Sequence, residues 1–191
     1  MIFRQYEKED RHAAGQEDKM PETDRDAITS LINLYALAVD SQRWELFDRL
    51  FTANVVVDYG EGAIWTERDS FKKAFASIHA PLDSTQHIMS GHQMRIIGDE
   101  ANAFTYGAWT LMRYGADGGD TWRGSGWYDD QLVRAPDGWR IRHRTCRVIA
   151  WFGNPVVQGI DPAQADRVIA RSSIRHEGER GRIAFLRSVV D

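Results

Sequence analysis

Between residues 85 and 151 the chain runs through four long stretches rich in β-branched and aromatic residues. They cover 85–97, 101–114, 121–134 and 138–151, and the turn sequences GDE, GADGGD and APDG separate them. Turns this short join only antiparallel neighbours, because a parallel neighbour needs a crossover of a dozen or more residues. A four-stranded meander is therefore the frame on which the rest must pack. Ahead of it the pattern is helical: Ile28, Leu31, Ile32, Tyr35 and Val39 recur at helical spacing behind Thr23 or Asp24 as a cap. A short helix over 43–51 carries Trp44, Phe47, Leu50 and Phe51, and a β-branched strand over 54–59 closes at Gly60. Thr66 to Asp69 reads as a capping box for a third helix bearing Phe71, Ala74, Phe75 and Ile78, which stops before Pro81. Helices first and a meander afterwards predict an α+β fold, with helices on one face of a curved sheet whose concave side forms a cavity.

The domain organisation follows from composition. Residues 1–22 are polar and aperiodic and read as a flexible N-terminal arm. Residues 23–155 read as one α+β domain, and 156–191, charged and helix-prone, as a C-terminal helical extension over the cavity or a neighbouring subunit. With 24 Lys and Arg against 28 Asp and Glu the net charge is −4, which argues against nucleic acid as a partner; only RIRHRTCR at 140–147 is locally basic. One cysteine, Cys146, fits a reducing compartment and reads as a small buried hydrophobe. No apolar run approaches the length of a membrane span, and the first twenty residues lack an apolar signal core, so a cytoplasmic protein with no membrane partner is expected.

Three groups stand out against apolar flanks: Asp40 at the end of the first helix, Tyr59 at the end of the first strand and His87 at the start of the meander. An acid, a phenol and an imidazole converging on an apolar pocket make a proton-transfer site. A carboxylate sits poorly at a helix C-terminus, where the dipole favours cations, so Asp40 calls for a compensating partner such as an imidazolium. Period-two alternation puts Thr85, His87 and Met89 on one strand face and Ile88, Ser90 and His92 on the other, so His92 points away unless Gly91 bulges, and no metal site is expected. The same alternation groups Arg140, Arg142 and Arg144 opposite Ile141, His143 and Thr145. Tyr35 and Tyr59 read equally well as aromatic core. Trp65, Trp109, Trp127, Trp151 and Phe152 read as core, as subunit contacts or as a slot for a flat ring.

The run YALAVDSQRWELFDRLFTANVVVDYGEG, the strand start TQHIMSGH and the closing GWRIRHR resemble the SnoaL-like branch of the nuclear-transport-factor-2-like superfamily over roughly residues 24–152. Within it they are similar to scytalone dehydratase, bile acid 7α-dehydratase and hexachlorocyclohexane dehydrochlorinase. The resemblance implies a cone-shaped curved antiparallel sheet, an α+β barrel, with three N-terminal helices enclosing an apolar pocket. It implies chemistry without metal or organic cofactor, and a homo-oligomer, dimer or trimer. By position, His87 matches the general base and Asp40 its carboxylate partner. Tyr59 matches a tyrosine that holds a water or polarises a carbonyl, and Arg144 an arginine that aids the leaving group, a role the bile acid enzyme places nearer Arg147. The pattern also departs from the family: Tyr35 stands where the dehydrochlorinase has a lysine, and the second histidine of scytalone dehydratase is replaced near Trp109–Leu111. The expected activity is a lyase reaction by His–Asp acid–base catalysis on an apolar, aromatic or polycyclic small molecule, with water, halide or formaldehyde leaving. Tyr35, Met89, Trp109 and Trp127 are the expected substrate contacts. The competing readings are an isomerase or hydrolase on the same cone, or a non-catalytic binding or assembly subunit.

Overall fold

The computed structural model describes residues 23–190, and the arm expected over 1–22 lies outside them. Thr23 caps helix α1 (Asp24–Asp40), its Oγ1 accepting the Asp26 N–H at 3.2 Å. Ile28, Leu31, Ile32, Tyr35 and Val39 form its buried stripe at the predicted spacing. The helix ends where Gln42 turns left-handed (φ 51°) and the N–H groups of Ser41, Gln42 and Arg43 fold back onto last-turn carbonyls. Asp40 is thereby held at the very end of α1.

The expected second helix is shorter than its sequence pattern. A 3-10 turn (Trp44–Leu46) leads into α2 (Phe47–Leu50), and Phe51 already opens strand β1 (Phe51–Asp58). The two-residue β2 (Ile64–Trp65) folds back antiparallel on β1. Helix α3 (Arg68–His79) stops before Pro81 as expected, but no capping box forms: Glu67 holds the cap position without a side-chain hydrogen bond. Phe47, Phe51, Phe71 and Phe75 interlock where α2, α3 and β1 meet, with the Phe71 and Phe75 ring centres 4.3 Å apart.

Strands β3 (Ser84–Ile97), β4 (Glu100–Met112), β5 (Thr121–Ala135) and β6 (Gly138–Gly153) form the predicted antiparallel meander. The sheet order is β2-β1-β6-β5-β4-β3, with β1 parallel to β6. The expected α+β architecture with a curved sheet is present; the sheet is open, with β2 and β3 at its edges, and departs from an all-antiparallel arrangement only where β1 runs parallel to β6. The whole meander separates β1 from β6 in sequence, so no tight turn dictates their relative direction.

Bulges reset which residues face the helices. On β3, Ser90 pairs with Tyr106 but Gln93 with Phe104, and Gly91 adopts φ 63°, so the conditional bulge of the sequence reading is present. His92 consequently turns to Thr105, its Nδ1 lying 3.1 Å from the buried Thr105 Oγ1. On β6, Gln131 pairs with His143 but Leu132 with Ile141, which leaves Arg142 as the extra residue. Strict alternation would place Arg144 with Arg140 and Arg142; the bulge instead sends it inward, fully buried.

After β6 a 3-10 turn (Pro155–Gln158) buries Val157 in the main core. Short helices α4 (Ala165–Val168), α5 (Ile174–Glu179) and α6 (Ala184–Val190) follow. Ile183 and Phe185 pack with Phe104 and Trp127 in a second cluster, and the Asp129 carboxylate accepts the N–H groups of Ala184 (2.6 Å) and Phe185 (3.0 Å). The end of the extension therefore straps the convex back of the sheet rather than the cavity. Among the described residues no helix is long and apolar enough to cross a membrane.

Gly126 sits at the second β6 bulge, where an added Cβ would lie 2.0 Å from the Arg147 carbonyl oxygen. Backbone cannot yield there as a flexible side chain would. Gly126→Ala is expected to lower the melting temperature by about 5–10 °C, on a cost of roughly 2–3 kcal/mol, as read by calorimetry.

Candidate active site

Helix α1 lies against edge strand β3, and at its C-terminal end Asp40 hydrogen-bonds across to that strand. Its Oδ1 accepts hydrogen bonds from Thr85 Oγ1 at 2.8 Å and from His87 Nδ1 at 2.7 Å, and its Oδ2 accepts the His87 backbone N–H at 2.8 Å. An edge strand leaves alternate N–H groups without a ladder partner; the carboxylate takes this one. Burial pushes the Asp40 carboxyl upward, but the hydrogen bonds from His87 and Thr85 outweigh it, so the group lies below the ordinary aspartate value and is charged at neutral pH. Three donors thus answer the unfavourable helix dipole. Because a carboxylate only accepts, the Nδ1 of His87 carries the proton and Nε2 is left with its lone pair.

His87 lines a cavity of about 210 Å³ between the concave sheet and helices α1 and α3. Trp65, Phe75, Ile78, Trp109, Leu111 and Trp122 supply its apolar wall, and Tyr35, Tyr59 and Tyr128 its hydroxyls. The Tyr35 and Tyr59 hydroxyls are 2.7 Å apart. One of them donates to the other, and the second keeps a proton to offer elsewhere. Burial pushes Tyr35 up to about 12 and Tyr59 well above its ordinary value, so both remain phenols. The Trp109 indole donates to the Tyr128 hydroxyl at 2.8 Å.

Asp40, His87, Tyr59, Tyr35 and Trp109 are therefore brought together as the sequence suggests. The other expected site residues, Arg144 with its alternative Arg147, Trp127 and Met89, are not among the residues lining the cavity. Arg144 lies behind the cavity, forked onto Asp130 by two 2.7 Å hydrogen bonds and stacked under Tyr35 and Tyr128, with its guanidinium carbon 4.2 and 4.6 Å from their ring centres. Two aromatic rings separate it from any ligand. Arg147 is committed to Asp58 at 2.7 Å and does not line the cavity. Trp127 faces the convex side, stacked on Phe104, because the pleat that turns Trp122 and Tyr128 inward turns its odd-numbered neighbour out. Met89 shares the face of His87 but packs in the core, next to Gly107, over which the Trp109 and Tyr128 rings lie.

The sequence reading missed His79, Trp122 and Gln158, all of which line the cavity. His79 arrives from the last turn of α3, its ring centre 6.5 Å from that of His87. A lone histidine at a helix end carries no spacing signal. Among the described residues no three His, Cys, Asp or Glu side chains converge as a metal ligand set.

The geometry gives a buried carboxylate, an imidazole oriented by it, and phenols across an apolar cavity. The SnoaL-like domain family matches residues 22–145. The uncharacterized protein Rv2910c of Mycobacterium tuberculosis is 30% identical over 123 residues, which are 64% of this chain and 83% of that protein. Among solved structures, the Kfla4162 protein of Kribbella flavida aligns at TM-score 0.68 and 24% identity over 73% of this chain and 99% of its own. A proposed scytalone dehydratase of Novosphingobium aromaticivorans aligns at 0.61 and 24% over 67% and 85%. A type 2 hexachlorocyclohexane dehydrochlorinase aligns at 0.61 and 12% over 72% and 93%. At these identities the structural likenesses speak for the fold. The family match covers well over half of the chain, and on it the protein belongs to the SnoaL-like domain family.

Proposed function

We propose that the protein is a lyase that removes a small fragment from an apolar ring compound by side-chain acid–base catalysis. The observation that carries this reading is the 2.7 Å contact between His87 Nδ1 and Asp40 on the wall of an apolar cavity. His87 Nε2 takes a proton from a carbon beside an activating group, and a neighbouring bond then breaks. Asp40 fixes the tautomer and stabilises the imidazolium as it forms. The free proton of the Tyr35–Tyr59 pair donates to oxygen charge that develops across the cavity, where low polarity strengthens the interaction. The imidazolium returns its proton to the departing group when that group leaves as an alkoxide or hydroxide. A volume of about 210 Å³ is below the ~300–1,000 Å³ of common ligand pockets, which favours a substrate of one or two rings over a larger polycycle.

Incubation with a panel of aromatic and terpenoid alcohols, followed by mass spectrometry and NMR, tests the reading. A product lighter by one small fragment and bearing a new double bond is expected from the native enzyme and not from His87→Ala. Products isomeric with the substrate would make the protein an isomerase. Products heavier by water would make it a hydrolase.

A further inference from the structure

The mechanism leaves one cavity group unused. His79 is buried, and its Nδ1 lies 2.8 Å from the Phe75 carbonyl oxygen. A carbonyl can only accept, so Nδ1 carries the proton and Nε2 holds a lone pair. Burial lowers the imidazole below the ordinary histidine value, against a weaker opposing pull from the Phe75 carbonyl, so the ring is neutral at physiological pH. Trp44 and Phe75 pack around the ring at 5.5 and 5.2 Å between centres and fix its plane. Nε2 has no hydrogen-bond partner among the described residues, although the ring borders the cavity.

The wall that carries the base therefore carries a second imidazole acceptor that abstracts nothing in the proposed reaction. The hydroxyl donors, Tyr35 and Tyr59, belong to other elements. We propose that His79 is the specificity-determining residue of this cavity: its Nε2 accepts a hydrogen bond from a substrate hydroxyl, so the site selects hydroxylated ring compounds over hydrocarbon or halogenated analogues of the same shape. An acceptor buried among aromatic rings favours a ligand that satisfies it and gives a pure hydrocarbon no compensation for covering it. Of the leaving groups that a base-initiated elimination allows, this favours a hydroxyl, lost as water, over halide. The inference rests on the cavity being the substrate site, but not on what bond is broken there.

Binding of p-cresol and toluene separates the possibilities. Native protein is expected to bind p-cresol about ten-fold tighter than toluene in NMR titrations, and the His79 Nε2 nitrogen resonance is expected to move with p-cresol only. His79→Phe should bring the two affinities to within about two-fold. His79→Gln, which can present a carbonyl acceptor in place of Nε2, should restore most of the difference. His87→Ala should keep it. Equal affinities in the native protein, discrimination that survives in His79→Phe, or discrimination lost in His87→Ala would each overturn the proposal. Should His79→Phe fail to fold, the nitrogen shift and the glutamine variant still decide the matter. Loss of the lyase reading would appear elsewhere, as products of unchanged mass with discrimination intact.

Discussion

His87→Ala is expected to lower turnover of the substrate found in the alcohol panel by 10²–10⁴-fold, the range that a positioned general base contributes. The fold should survive, because Asp40 still accepts the backbone N–H of residue 87 and the Thr85 hydroxyl. Asp40→Asn should cost about as much, for a different reason. An amide can place its N–H₂ toward Nδ1, which then accepts, and the proton moves to Nε2 where the base is needed. The two losses should not add, since both disable one unit. Asp40 stays ionised throughout the neutral range, so the native pair keeps its carboxylate there. Stopped-flow or steady-state kinetics on the single and double variants check the prediction. A double variant that is much slower than either single variant would show that the two act separately.

The second large effect concerns stability. Asp130→Ala should destabilise the protein by about 3–5 kcal/mol, because it strands the Arg144 guanidinium, fully buried, without its carboxylate. For a chain of this length that corresponds to a fall of roughly 10–15 °C in melting temperature. The paired change Asp130→Leu with Arg144→Met removes both charges and should recover most of the loss. The same double variant decides whether Arg144 takes part in turnover. Rates within about ten-fold of native assign it to structure; a loss of 10³-fold or more would return it to the chemistry.

Much of the frame is legible in the sequence because it depends on local patterns. The GDE, GADGGD and APDG turns dictate an antiparallel meander, and the 28-31-32-35-39 stripe dictates α1 and hence where Asp40 ends up. The need of a C-terminal carboxylate for donors points to a partner, and His87 is that partner. What fails does so where parity or distance in sequence decides. The single extra residue at Arg142 inverts the facing of residues 143–148 until the second bulge restores it, which is why alternation alone groups Arg144 with Arg140 and Arg142. Trp127 and Tyr128 are both aromatic, and only the register to β4 and β6 tells which one turns inward. The parallel pairing of β1 with β6 joins segments some ninety residues apart that share no turn. His79 is invisible for another reason: its importance comes from what α3 packs against, not from its neighbours in the chain.

The Arg144 guanidinium stacks on Tyr35 and Tyr128, two rings that line the cavity, while the Asp130 carboxylate that neutralises it is not part of that lining. The pair is therefore a fixed dipole whose positive end rests against the aromatic wall of the cavity. No ligand touches it, yet its potential favours any state in which negative charge accumulates beside those rings. Greasy walls would otherwise penalise an anionic intermediate; a charge mounted outside the room lowers that penalty without admitting water.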